Sequence, residues 1–180
     1  MTDWINIIKT NILPAVSGDH FWENKIKKII DDVSPSGIHL AIFVEPYLKF
    51  ILEGKKSIES RFSTYRCAPY GSVHEGDVLI LKKSGGPVQG LCVISDAWDY
   101  ILDPDSWATI RNNYTKLLCI RDPSFWRDRE NASFATLMRL QHVISMAPTD
   151  WKKRDRRGWV VLRHSKLNNC RPYRQMRFSP

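Results

Sequence analysis

The sequence has few of the features that most readily assign a protein to a class. No apolar run approaches about 18 residues, so we expect no membrane span. Asp3 lies among the first residues and no basic flank precedes an apolar run, which is not the pattern of a secretory signal. The four cysteines form no CxxC pair, which argues against a metal cluster and a disulfide framework and suits free thiols in a reducing compartment. We therefore predict a cytoplasmic protein without a membrane partner.

The histidines also lack the spacings that typically bind metals. The sequence contains neither HxxxH nor HExxH, and its five histidines stand far apart: His20, His39, His74, His142 and His164. Because those spacings place two imidazoles on one helical face, their absence leaves a metal ion without an obvious ligand set. We predict no metal site and no cofactor.

The sequence does contain enough apolar residues for a core. Of its 180 residues, 43% are hydrophobic and 26% are charged, which is typical of a folded domain rather than a disordered chain. This length suits one large domain, or a smaller domain with extensions. No internal repeat or low-complexity tract is present.

The positive charge is concentrated at the C-terminal end. Residues 151–180 contain ten Lys or Arg residues and one acidic residue, whereas the first 150 residues hold 17 basic and 18 acidic residues. Aromatic residues alternate with this charge, and such a segment attracts polyanions and offers rings for stacking. We assign contacts with a nucleic-acid backbone to Lys152, Lys153, Arg154, Arg156, Arg157 and Arg163. A solvated, solubilising segment is the alternative interpretation.

The first 36 residues are predicted to be helical. Residues 3–16 form one predicted helix, broken near Pro14, and residues 19–32 form a second one with Asp19 as its N-cap. The SPSG sequence that follows breaks the chain. We expect residues 1–36 to form an N-terminal helical extension and residues 37–180 to form the main domain.

A helix followed by a strand is predicted near the middle of the first half. Residues 38–44 form a continuous apolar run, as in a strand buried on both faces. In residues 46–54, Pro46 stands at the expected first helical position and Gly54 at the stop. Residues 57–62 alternate with a period of two, so Glu59 and Arg61 project from the same face of a strand.

The remainder combines further strands with one helix. The predicted strands are 78–83, 87–98, 133–146 and 158–164, and the predicted helix is 103–114 with Asp103 as its cap. Composition also allows a helix at 133–146, and the alternation of its residues favours a strand. These elements predict an α+β fold, a small mixed and mostly antiparallel β-barrel with flanking helices.

Two segments of the sequence resemble an ASCH domain, a member of the PUA-like superfamily. They are PYLKFILEGKKSIESRF at 46–62 and GDVLILKKSGGPVQGLCVI at 76–94. The family hallmark is G-x-K-x-x-E-x-R, matched here by Gly54, Lys56, Glu59 and Arg61. The match is good over about residues 38–100 and looser in the later strands. The resemblance implies a PUA-like barrel whose motif lines an RNA- or nucleotide-binding cleft.

The motif residues have chemistry that suits such a cleft. Lys56 follows a helix stop, where its ammonium can reach a phosphate or a base carbonyl at the mouth of the site. Arg61 offers a fork of donors, and Glu59 can orient both cations or accept from a base amino group. Tyr47 is a candidate stacking surface, with a place in the core as its alternative. A same-face ion pair of Glu59 and Arg61 that only braces the strand is the alternative for the motif.

The resemblance also raises the question of catalysis. Some ASCH proteins are amidohydrolases that act on N4-acetylcytidine and carry a threonine three residues after the lysine, where this sequence has Glu59. Nuclease activity has been attributed to other members. If the protein is an enzyme on nucleic acid or a modified nucleoside, Lys56 and Glu59 are its candidate catalytic residues.

Binding is nevertheless favoured over turnover, because a carboxylate cannot replace the threonine hydroxyl in acyl transfer. The predicted partner is RNA, single-stranded nucleic acid or a nucleotide, with a modified base among the candidates. A protein-interaction module in transcription coactivation is a further alternative. The sequence carries no prediction of oligomeric state.

Overall fold

A computed structural model describes residues 4–152 and 157–166 of the chain. Its centre is one sheet of six strands: β1 (Ile38–Phe43), β2 (Ile58–Ser63), β3 (Val78–Lys83), β4 (Val88–Ile101), β5 (Phe134–Thr149) and β6 (Trp159–Arg163). The strand order is β2-β5-β4-β3-β1-β6. Strand β1 pairs with β3 in parallel, and the other pairs are antiparallel. The prediction of an α+β fold with a mixed, mostly antiparallel sheet is confirmed.

The N-terminal region is helical, as predicted. It comprises α1 (Trp4–Ile7), a π-helical turn (Ile8–Ile12), α2 (Leu13–Ala15) and α3 (His20–Ile30). The break expected near Pro14 takes the form of the π-helical turn, in which the Leu13 amide donates to the Ile8 carbonyl. Asp19 caps α3 by accepting from the Trp22 amide.

These helices share a hydrophobic core with the sheet. Buried side chains of the helices, such as Ile12 and Trp22, cluster with Ile38 and Leu40 of β1 and with Ile80 of β3. Ala41 and Phe43, also in β1, belong to a second cluster, so β1 is buried on both faces as predicted. The predicted division into residues 1–36 and 37–180 stays a prediction.

The segment between β1 and β2 contains α4 (Tyr47–Leu52). Pro46 is its N-cap rather than its first helical residue, a shift of one position. Gly54 follows the C-cap with φ +70°, the left-handed conformation that ends many helices and that glycine adopts without strain. The predicted helix stop is therefore confirmed.

Strands β4 and β5 are longer than predicted and form a long antiparallel pair. The register shifts at three places along this pair, and these irregularities let long strands bend. The segment 133–146, for which a helix was the alternative, lies in strand β5 except for its first residue.

The connection between β4 and β5 contains α5 (Pro104–Tyr114) and α6 (Ser124–Arg127). Asp103 caps α5 in a capping box with Ser106, as the sequence predicts for its N-terminus. Helix α6 has only four residues, too few to show a helical period in the sequence. Within the ranges described, no helix is long and apolar enough to cross a membrane.

Candidate functional site

The motif begins where α4 turns into β2. After the left-handed Gly54, the amides of Lys55 and Lys56 both donate to the Phe50 carbonyl, at 2.8 and 3.0 Å. These bonds satisfy a carbonyl that the end of the helix would otherwise leave open, and they reverse the chain. Gly54 thus acts through the turn, which brings Lys56 alongside β2.

Lys56 is buried, with 4% of its surface exposed. Its Nζ donates to the carbonyls of Ile58 and Leu118, at 2.7 and 3.2 Å, and lies 3.4 Å from Glu59 Oε2. The ammonium also lies 5.6 Å from the centre of the Tyr47 ring. Burial lowers the pKa of Lys56, and the nearby Glu59 carboxylate opposes that effect. The sequence predicts that this ammonium lies at the mouth of the site. In the structure it lies on an inner wall instead.

Glu59 lies between two cations. Its Oε2 faces Lys56, and its Oε1 is 2.8 Å from Nε of Arg61. The carboxylate is buried, so little water separates these charges. One carboxylate shared by an ammonium and a guanidinium leaves the three side chains with a net charge of +1, which favours an anionic or electron-rich ligand.

Arg61 connects β2 with the opposite edge of the sheet. Its Nη2 donates to the Ile42 carbonyl of β1 at 3.0 Å, and its Nη1 donates to the Gly158 carbonyl just before β6 at 3.2 Å. The guanidinium carbon lies 4.9 Å from the Phe43 ring centre and 5.5 Å from that of Trp159. Because β2 and β6 are at opposite ends of the strand order, these contacts show that the sheet curls until its edges approach.

A cavity of about 280 Å³ opens beside this cluster. Its walls include Lys56, Glu59 and Arg61, together with the half-buried ring of Tyr47. Val44 also lines it and has 58% of its surface exposed, which places it at the mouth. The ion pair of the bracing interpretation is present, and the same side chains border space that a ligand can enter.

Two solved structures from Zymomonas mobilis resemble this chain. One is described as ASCH from Zymomonas mobilis, with a TM-score of 0.56, 16% sequence identity and coverage of 70% of this chain and 87% of that chain. The other is a single-residue variant of ZmASCH, with a TM-score of 0.57, 15% identity and coverage of 72% and 90%. The chain has the ASCH fold. No protein-family model matches the sequence, and no curated protein does.

The expected ASCH fold is thus confirmed. At this level of identity the likeness concerns the fold, and function has to be inferred from the site itself.

Two residues of the ASCH-fold cleft were missed by sequence reasoning. Phe125 of α6 and Arg129 just after it line the cavity. The Arg129 guanidinium carbon lies 3.7 Å from the Phe125 ring centre, and its Nη1 donates to the Phe125 carbonyl at 2.8 Å. An aromatic residue followed four positions later by arginine is the signal that the sequence held. This signal could not be interpreted from the sequence, because no helix is predicted at this place.

The basic C-terminal residues lie partly outside the described ranges. The described ranges do not include Lys153, Arg154 and Arg156. They do include Lys152 and Arg157, whose side chains are exposed. Arg163 is bound within the protein, where it donates to the Ser36 carbonyl at 2.7 Å and lies 3.2 Å from Asp32 Oδ1. Its guanidinium therefore joins β6 to the segment before β1.

Proposed function

We propose that the cleft binds one nucleotide of RNA or of another single-stranded nucleic acid. One observation supports this proposal: Lys56 and Arg61 share the buried Glu59 carboxylate on the wall of an open cavity. The cavity volume of about 280 Å³ is just below the roughly 300 Å³ at which typical ligand pockets begin, and it suits a single base with its sugar rather than a duplex.

The cleft offers both ring surfaces and polar groups to a base. Phe125, covered by Arg129, and Tyr47 line the cleft with aromatic rings whose centres lie 6.3 Å apart, and bases stack well on aromatic faces. Glu59 can accept a hydrogen bond from a base amino group, which would give the cleft a preference among bases. A modified base is one ligand of this class.

Lys56 contributes charge rather than a new hydrogen bond in this proposal. An ammonium has three donors, and Lys56 already faces two carbonyls and the Glu59 carboxylate. Its positive charge nevertheless acts across the cavity wall, where burial weakens screening by water. The same saturation gives hydrolysis less support than binding, because a proton-transfer group needs access to the reacting atoms.

Contacts with the phosphate backbone are assigned to the basic residues near the C-terminus. Lys152 and Arg157 are exposed beside β6, and Lys153, Arg154 and Arg156 lie between them in sequence. Arg163 is left out of this set because its donors are used inside the protein. If the set binds phosphates, the logarithm of the affinity falls linearly with the logarithm of the salt concentration.

A pair of tryptophan variants tests the cleft. Val44→Trp places an indole at its mouth, and Val33→Trp places one at a comparably exposed valine that does not line the cavity. We expect Val44→Trp to weaken the binding of fluorescently labelled single-stranded RNA about tenfold, or about 1.4 kcal/mol. Val33→Trp should leave affinity unchanged. Equal affinities for both variants and the unmodified protein would overturn the proposal, and analysis of the RNA after incubation would reveal any turnover.

A further inference from the structure

A second cavity, of about 180 Å³, lies beside the first one. Arg61 and Phe62 line both cavities, so the two are separated by the side chains of adjacent β2 residues. The other walls of the second cavity include Trp159, Tyr70, Thr136 and Cys67. It is therefore bordered by the edge strands β2 and β6, where the curled sheet nearly closes.

We propose that the second cavity accepts the nucleotide adjacent to the one in the first cavity. The ligand class is then a single-stranded oligonucleotide of at least two nucleotides, not a free nucleoside. This inference rests on the proposed function of the first cavity, and it assigns a second binding site and a minimum ligand length.

Thr136 gives the second cavity a fixed polar group. Its side chain is 1% exposed, and its hydroxyl donates to Asp99 Oδ1 at 2.5 Å. Asp99 also accepts from the Gly71 amide at 2.9 Å, which fixes the carboxylate. Because the Thr136 hydrogen is used by Asp99, its oxygen is left as an acceptor for a base N–H. A buried acceptor of fixed orientation discriminates among bases, since a ligand without the matching donor leaves it unpaired.

An exposed aromatic residue and a cation directly precede Cys67, which lines the second cavity. Tyr65 is 78% exposed, which is unusually high for a tyrosine. Arg66 is also exposed, with its guanidinium carbon 5.4 Å from the Phe134 ring centre. A ring for stacking beside a guanidinium for phosphate is the combination found in single-strand binding grooves.

The arrangement favours one ligand that spans both cavities over two separate ligands. Each volume is smaller than the roughly 300 Å³ at which typical ligand pockets begin, so neither buries a large molecule alone. Arg61 forms the wall between them and has 22% of its side chain exposed. A phosphodiester that joins two bases would pass over this guanidinium, where its negative charge is favoured. Joining the two bases in one molecule also raises the effective concentration of the second.

Length-matched ligands and one blocking variant test the inference. We expect the protein to bind a dinucleotide about tenfold more tightly than the 5′-mononucleotide of the same base. Cys67→Trp fills the second cavity from its exposed rim and should remove this gain without changing affinity for the mononucleotide. Cys67→Ser is the matched control and should keep the gain. Val44→Trp should weaken both ligands, because it blocks the first cavity.

Alkylation of the unmodified protein gives a second readout that needs no variant. Cys67 is an exposed free thiol on the rim, and the dinucleotide should slow its reaction with maleimide whereas the mononucleotide should not. Cys92 is the internal reference, because it is buried and burial raises its pKa. Site-resolved mass spectrometry distinguishes the two thiols.

The possible outcomes separate the two proposals. If mononucleotide and dinucleotide bind equally and Cys67 stays equally reactive, the second site is wrong and the proposed function of the first cavity stands. If neither nucleotide binds, or if Val44→Trp has no effect on binding, the proposed function fails and the second site fails with it. A gain for the dinucleotide that survives in Cys67→Trp also overturns the second site.

Discussion

Among the residues that the structure describes, two carboxylates are buried, and their surroundings differ. Asp77 accepts hydrogen bonds from the amides of Gly37 and His74, at 2.5 and 2.8 Å, and lies 3.0 Å from Nε2 of His39. Glu59 has no such amide among its described contacts and lies instead between the charged groups of Lys56 and Arg61. Asp77 lines neither described cavity, whereas Glu59 lines the first one.

The contrast shows how a fold can bury charge for two purposes. Amide donors are neutral and fixed by the backbone, so they stabilise a carboxylate without offering charge to a ligand. Paired cations cost more to desolvate, and an excess cation leaves a net charge that a ligand can use. The Asp77 cluster is therefore expected to matter most for stability, and the Glu59 cluster for both stability and binding.

The two clusters are connected through Trp159. Its Nε1 donates to His39 Nδ1 at 3.3 Å, which places the imidazole hydrogen on Nε2, where it is donated to Asp77. The ring of the same tryptophan packs against the Arg61 guanidinium. Variants along this connection test whether the difference between the clusters holds.

Removal of the Asp77 carboxylate should have the largest effect. Asp77→Ala leaves the buried Gly37 amide, the half-buried His74 amide and a histidine N–H without an acceptor, so we expect a loss of about 3–5 kcal/mol in the free energy of unfolding. Urea denaturation measures this loss. Glu75→Ala removes an exposed carboxylate from the same turn and should change stability by no more than about 0.5 kcal/mol. Similar losses in both variants would contradict the structural role of Asp77.

Truncation of Arg61 should have the next largest effect. Arg61→Ala removes the donors to the Ile42 and Gly158 carbonyls and one partner of Glu59, and we expect a loss of about 2–3 kcal/mol. Arg61→Lys keeps the charge without the planar fork, so its loss should be smaller. Hydrogen exchange of the Ile42 amide, which donates to the Gly158 carbonyl, should accelerate in both variants. Unchanged exchange would argue against edge closure by Arg61.

Loss of the link between the clusters should have a smaller effect. Trp159→Phe keeps an aromatic ring beside Arg61 and removes the donor to His39 Nδ1. We expect a loss of about 1 kcal/mol in thermal or urea unfolding. Trp151→Phe is a control, because Trp151 is also buried but belongs to a different hydrophobic cluster from Trp159. If affinity for RNA falls while stability is unchanged, Trp159 acts on the cleft rather than on the fold.

The smallest expected effect is a pH dependence of binding. Burial lowers the pKa of Lys56, so its charge is lost at a lower pH than that of an exposed lysine, and affinity should fall as the pH rises through that value. At pH values below the ordinary lysine pKa of about 10.4 we expect a decrease of less than about tenfold for an adenine nucleotide, whose base does not titrate in the alkaline range. Lys56→Arg should bind with a flatter profile, because a guanidinium stays charged. Burial raises the pKa of Tyr47, so its phenol stays neutral. If affinity depends on pH in the same way for Lys56→Arg and for the unmodified protein, the proposed role of the Lys56 charge is contradicted.

The elements around the motif could be predicted because their signals are local. Gly54, the change of period after it and the caps at Asp19 and Asp103 all act within a few residues, and the structure shows each of them. The same-face projection of Glu59 and Arg61 follows from strand geometry alone, and their contact at 2.8 Å agrees with it.

The environment of the motif could not be predicted, because its partners are distant in sequence. Lys56 is buried partly by the Leu118 carbonyl, 62 residues away, and Arg61 reaches the Gly158 carbonyl, 97 residues away. Phe125 and Arg129 enter the cleft only because a connection of two helices folds back over β2. Neither the alternation of polar and apolar residues nor the charge pattern of the sequence predicts such contacts.

The contact of Arg61 with the opposite sheet edge also bears on the tendency of the protein to aggregate. Strands at the edge of a sheet expose carbonyls and amides that can pair with another chain, and natural proteins protect such edges. The guanidinium binds the Ile42 and Gly158 carbonyls and thereby joins edge strand β2 to the β1–β6 pair at the other end of the strand order. Arg61 would thereby hold the two edges of the sheet close together, with little room for a foreign strand between them, and its loss would favour aggregation as well as weaker binding.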